Sequence, residues 1–139
     1  MLEDENISDL MVANHVRLEK LVDEFEEAGF EAKKELFENL KWEFEKHFFI
    51  EEKAVFTFCK AEGDEAIVHD LINEHGLLLN FLSAIEDDLG DSKDVDISEF
   101  RELHSKHMEI EDQVLYPKLD ETLTSSEKEL VKERVARNI

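Results

Sequence analysis

His15 and His75, His47 and His107, and Glu51 and Glu111 are each 60 residues apart. Apolar positions share that offset, as in Leu18 with Leu78, Val22 with Leu82, Phe25 with Ile85, Ile50 with Ile110, Val55 with Leu115 and Phe56 with Tyr116. A chain that repeats both its apolar stripe and the polar residues interrupting it is a duplicated unit, whose two copies bury their stripes against each other. The repeat covers approximately residues 8–62 and 68–120, and the whole of 1–139 reads as a single domain.

The repeated unit is a helix hairpin. One proline and four glycines leave few places to stop a helix, and no stretch alternates with the two-residue period of a strand. Ser8 is placed to cap a first helix that runs to Gly29, and a second runs through Ala32 and Leu36 to Gly63. Asp64 is placed to cap a third, ending near Gly90. Asp96 with Glu99 has capping-box spacing for a fourth, which Pro117 kinks or ends. A second such pair, Thr124 with Glu127, opens a short helix over 124–137 that reads as amphipathic and peripheral.

The interior stripes follow three-four spacing. They are Met11, His15, Leu18, Val22, Phe25; Leu36, Leu40, Phe44, His47, Glu51, Ala54, Phe58; Val68, Leu71, His75, Leu78, Leu82, Ile85, Leu89; and Phe100, His104, His107, Glu111, Val114. The fold class predicted is all-α, an up-down-up-down antiparallel four-helix bundle with a short extra C-terminal helix.

Composition limits what such a bundle does. With 37 Asp and Glu against 16 Lys and Arg, the formal charge is −21, which disfavours nucleic acid and anionic membrane surfaces as partners. A hydrophobic fraction of 42%, including ten phenylalanines, supports a packed core. The N-terminal segment is acidic where a secretory signal is basic and then apolar, no apolar run reaches membrane-spanning length, and Cys59 is the only cysteine. A cytoplasmic location is expected.

The polar interruptions carry the chemistry. A carboxylate among Phe and Leu costs several kcal/mol unless it is paired or bound to a cation. Residues four apart share a helix face, so His47 with Glu51 and His107 with Glu111 each present an imidazole and a carboxylate to the bundle axis. A carboxylate can bridge two cations. Two bridging glutamates plus two imidazoles per metal satisfy most of the coordination of a non-haem iron or manganese pair and leave positions open for an exchangeable ligand. Zinc suits the same donors. Ferritin-like sites require Glu three residues before His, and Val12, Phe44, Ala66, Ile72, Arg101 and His104 stand there instead. His69 reads as a surface residue, Glu19 as a solvated glutamate, Cys59 as a small buried hydrophobe and Tyr116 as bundle-end packing.

The segments NHVRLEKLVDEF, KHFFIEEKAVF, EHGLLLNFLSAIEDDL and KHMEIEDQVLYP resemble the hemerythrin family, in its cation-binding branch with a twice-repeated His, His-x-x-x-Glu pattern. The resemblance spans almost the whole chain apart from its last helix. It implies a bundle holding two iron ions with an oxo or hydroxo bridge. His15 and His47 would be terminal ligands of one iron, His75 and His107 of the other, and Glu51 and Glu111 would bridge. Oxygen-carrying hemerythrins place two histidines four apart on the third helix, where this chain has Leu71 and Leu79 flanking His75. They also carry His-x-x-x-x-Asp on the fourth helix, where this chain has His-x-x-x-Glu. His104, one turn before His107, is the candidate replacement ligand, and its repeat partner is Phe44.

The function expected is reversible binding or sensing of oxygen or nitric oxide at a carboxylate-bridged di-iron centre, a binding protein rather than an enzyme. The alternative is a di-iron enzyme acting on peroxide or nitric oxide, or an iron storage or sensing protein.

Overall fold

A computed structural model describes residues 6–138; the first five residues and Ile139, which the single-domain expectation included, lie outside the described residues. The chain is all-helical, with no strand among the described residues. Its elements are α1 (Ile7–Glu27), α2 (Phe30–Ile50), α3 (Asp64–Gly90), α4 (Ser98–Ile110), α5 (Tyr116–Thr122) and α6 (Ser125–Asn138). α2 continues through a π-helical turn, Glu51–Val55, and a 3₁₀ turn, Phe56–Phe58; α4 continues through a π-helical turn, Glu111–Leu115, directly into α5. α1 packs on α2, α2 on α3 and α3 on α4, while α5 and α6 both lie against α1. None of these helices is long and apolar enough to cross a membrane.

The helix starts depart from the sequence expectation at three points. The first helix is capped by Asn6, whose side chain accepts from Asp9 N, with the Asp9 carboxylate returning to Asn6 N. Ser8, expected as the cap, is already inside the helix, and Asp120 on α5 accepts from Ile7 N at 2.8 Å and Ser8 N at 3.1 Å. These are two of the amides a helix N-terminus leaves unpaired, supplied with an acceptor from a distant turn. Asp64 does not cap α3. Gly63 holds that position at φ 88°, a left-handed conformation glycine adopts without strain, and Asp64 instead accepts from Ala61 N at 3.0 Å. Asp96 accepts from Ser98 N and Ser98 Oγ, so its bonds go to Ser98 and not into a capping box with Glu99. The Thr124 and Glu127 pair does form its capping box, with both reciprocal bonds present.

Buried apolar side chains fall into two clusters. One gathers Leu18, Val22, Phe25, Phe37, Leu40, Phe44, Leu78, Leu82 and Phe100. The other gathers Ile7, Met11, Ile50, Val55, Leu71, Leu115 and Leu119. Along α1 and α3 the switch from one cluster to the other occurs at His15 and His75, so a polar layer divides the core. α6 reaches further in than a peripheral helix, because Val131 and Val135 are fully buried in the second cluster.

The π turns displace the expected stripe. Phe56 N donates to Glu51 O and Tyr116 N to Glu111 O, five residues back in place of four. Each such turn slips the interior face forward by about one residue. Val114, expected inside, is therefore 44% exposed, and Leu115 and Tyr116 are buried in its place. In α2 the same slip buries Val55 and Phe56 and leaves Phe58 half-buried.

Lys118 Nζ lies 2.6 Å from the buried Asp64 carboxylate, joining the start of α3 to α5. Removing the cation from such a pair leaves an uncompensated buried charge. Lys118→Met is expected to destabilise the fold by about 2–3 kcal/mol, below the fully buried range because Lys118 reaches solvent. Urea unfolding followed by circular dichroism checks this, and an unchanged midpoint would discount the pair.

Candidate metal centre

Each of the four main helices delivers one imidazole to the polar layer: His15 from α1, His47 from α2, His75 from α3 and His107 from α4. Glu51 and Glu111 open the two π turns and are fully buried. The candidate ligand atoms of His15, His47, Glu51 and Glu111 all lie within 4.8 Å of one another, and so do those of Glu51, His75, His107 and Glu111. The two groups share both glutamates. Glu111 Oε1 is 3.2 Å from His15 Nε2, and Glu111 Oε2 is 3.2 Å from His107 Nε2. Glu51 Oε1 is 2.9 Å from His75 Nε2 and 3.4 Å from His47 Nε2.

These approaches are close without being hydrogen bonds in most cases. Nε2 of His15, Nε2 of His47 and both oxygens of Glu111 are buried and have no hydrogen-bond partner. Buried polar atoms left without a partner inside one group spanning 4.8 Å are expensive unless a cation lies among them. The donor set therefore fits a pair of cations.

The far nitrogen of every ring is tied down. His15 Nδ1 is 2.8 Å from Asp112 Oδ1, His47 Nδ1 3.0 Å from Asn14 Oδ1, His75 Nδ1 2.7 Å from Glu52 Oε2 and His107 Nδ1 2.8 Å from Glu74 Oε1. With Nδ1–H donating outward, Nε2 is left as the donor atom facing the centre. The sequence reading missed these four residues. A signal was available: Asn14 and Glu74 precede His15 and His75, Glu52 and Asp112 follow Glu51 and Glu111, and both pairs keep the 60-residue offset.

Without a cation, protons take its place. Burial lowers the pKa of His107, but the nearby carboxylates of Glu111 and Glu51 outweigh it and push it up to about 11. His15 is likewise raised well above its usual value, burial being outweighed by Asp112, Glu111 and Glu51. Burial and the charge of Glu51 raise Glu111. Burial alone would raise Glu51, but the charge of His47 and the close approach of Glu111, His107 and His15 outweigh it and hold Glu51 well below the usual range. Tyr116, expected as bundle-end packing, is fully buried and donates to Glu51 Oε2; burial and the Glu111 and Glu51 charges keep its phenol protonated.

A family model for the hemerythrin HHE cation binding domain matches residues 6–133. The chain belongs to this hemerythrin family. No curated protein and no solved structure gives a significant match. The hemerythrin match and the buried His and Glu cluster together identify a cation-binding domain.

His104 is buried but stands outside both groups of four, edge-on to Phe44 at 4.8 Å and stacked over Phe100 at 5.9 Å. Its Nδ1 faces Glu19 Oε1 at 3.5 Å, and burial holds its pKa down. Glu19 is thus partnered and not merely solvated: it pairs with His104 and with Arg101, 3.0 Å away. His69 is exposed, as expected. Cys59 is half-buried, and burial pushes its thiol up to about 12.

A cation must displace the protons on His15 and His107, so affinity falls as pH falls and rises with pH from 6.5 towards about 11. In the metal-free chain the same His107 protonation contributes stability fully below pH 6.5, and that contribution is lost as pH rises through about 11. Loading at about pH 8 is expected to release at least about one proton per chain, that of His107. Calorimetry in buffers of different ionisation enthalpy measures the count, and loading without proton release would contradict this electrostatic account.

Proposed function

We propose that this hemerythrin-type chain holds two iron ions bridged by Glu51 and Glu111 and uses them to bind or sense oxygen or nitric oxide reversibly. The observation that carries the reading is the pair of four-residue groups sharing two fully buried carboxylates, with unpartnered lone pairs between them. In this reading α1 to α4 form an up-down-up-down antiparallel bundle, each contributing one imidazole at the same level. His15 and His47 hold one ion, and His75 and His107 the other.

Imidazole and carboxylate suit iron, manganese and zinc; iron held by these residues would supply redox chemistry towards a diatomic ligand, which zinc lacks. The chain's own residues supply the rest. Asp112, Asn14, Glu52 and Glu74 fix ring orientation and keep each Nε2 available. Phe48 stacks on His75 at 4.1 Å and Phe56 at 5.8 Å, and Phe44 and Phe100 wall the adjacent core. These rings exclude water and leave an apolar surround that a small neutral molecule enters more readily than an ion. Tyr116 holds Glu51 in place by donating to its Oε2.

Protein purified anaerobically is expected to carry two irons per chain and, once exposed to oxygen, to show a near-ultraviolet oxo-bridge absorption. Ferrous protein mixed with oxygen should give a charge-transfer band that disappears on degassing. Glu111→Gln should lower iron content to one per chain or less while helicity measured by circular dichroism is kept. A folded chain that takes up no iron anaerobically overturns the metal reading; iron uptake without a reversible spectral change overturns the ligand-binding reading alone.

A further inference from the structure

The duplication gives a reference for every residue around the centre: whatever one half has, the other half should have 60 positions away. Around the ligands this symmetry is broken where it affects the strength of one cation position. His107 is held by the carboxylate of Glu74, but its repeat partner His47 is held by the neutral amide of Asn14. The other two rings both keep a carboxylate, Glu52 on His75 and Asp112 on His15. The His75/His107 position thus has two carboxylates behind its rings, and the His15/His47 position has one.

The second break is Tyr116, whose repeat partner is Phe56. Phe56 lies parallel to the His75 ring at 5.8 Å and offers no polar atom. Tyr116 lies against the His15 ring, also at 5.8 Å, and donates its O–H to Glu51 Oε2. That oxygen is 3.8 Å from His15 Nε2, whereas Oε1 lies nearest His75, 2.9 Å from its Nε2, and 3.4 Å from His47 Nε2. A lone pair occupied by a phenol is withdrawn from a cation on the His15 side.

Both departures act in one direction. A carboxylate accepting from Nδ1–H raises the donor strength of Nε2 and adds negative charge near a dication; an amide oxygen does the first weakly and the second not at all. We propose that Asn14 and Tyr116 make the His15/His47 position the weaker, exchangeable cation position, and that the His75/His107 position fills first and is retained. The inference rests on the two-ion reading above, and it assigns to Asn14 and Tyr116 the positioning role that makes the two ions unequal.

The repeat also supplies the test, because each variant installs the residue its own partner already has. The full-length chain is titrated anaerobically with ferrous iron by calorimetry, alongside N14E, Y116F and their combination. The wild type should bind in two steps of one equivalent. N14E and Y116F should each tighten the second step about 10-fold with the first unchanged, and the double variant should draw the steps together. His47→Ala should remove the weak step and spare the tight one, and His75→Ala should do the reverse. Tightening of the first step, no change in either variant, or loss of the tight step in His47→Ala overturns the proposal. Should N14E fail to fold by circular dichroism, Y116F and the two histidine variants decide the matter alone. Wild-type protein that takes up no ferrous iron fails the two-ion reading itself, an outcome distinct from two indistinguishable equivalents.

Discussion

Two glutamates with no solvent exposure lie between four imidazoles in the middle of an apolar bundle, and the rest of the structure is arranged around keeping them there. A carboxylate in that setting is tolerated only when positive charge or hydrogen-bond donors surround it. The chain meets this requirement with rings whose outer nitrogens are anchored by Asp112, Asn14, Glu52 and Glu74 and with a phenol on Glu51. The layer divides the core into two apolar clusters, and α1, α2 and α3 pack in both, one on each side of the site. The acidic excess of the chain is a different matter: most of it is on the surface, where its main consequences are solubility and an attraction for cations.

Both glutamates open a π-helical turn. A π turn inserted in an α-helix costs regular hydrogen-bond geometry, and its presence at two positions 60 residues apart ties it to the site. His47 and Glu51, and likewise His107 and Glu111, share a face because they stand four apart on regular α-helix leading into each turn. Beyond each glutamate the turn moves the buried stripe on by one residue, burying Leu115 and Tyr116 in place of Val114. Tyr116 reaches Glu51 because of that slip. The chain closes the same end of the bundle with Asp120 on the amides of α1 and with Val131 and Val135 from α6.

Much of this was legible in the sequence. The sparsity of helix breakers, the four stripes and the shared offset pointed to helices and to the six residues the structure brings into one layer. Those signals are local or periodic, and they survive because burial at three-four spacing is decided within each helix. Helix starts were read less well: Ser8 and Asp64 have the right chemistry for caps, but Asn6, two residues before Ser8, takes the first cap, and Gly63 adopts a conformation that releases Asp64 for Lys118. His104 occupies the interior stripe, where the structure sets its Nδ1 towards Glu19 and its ring against two phenylalanines, outside the two groups of four, with its Nε2 buried and unpartnered.

By itself, then, the sequence determined that the chain is helical, that its histidines, glutamates and apolar positions recur at a 60-residue offset, and which imidazoles and carboxylates interrupt its core. Only the tertiary structure decided which groups face one another across helices: that Glu51 and Glu111 are each shared by both sets of rings, that Asn14 stands behind His47 where Glu74 stands behind His107, and that Tyr116 reaches Glu51. The reason is physical. Periodicity specifies the face a side chain occupies on its own helix, while the partner it meets depends on how helices distant in sequence are rotated and offset against one another, and here on two turns whose extra residue no propensity announces.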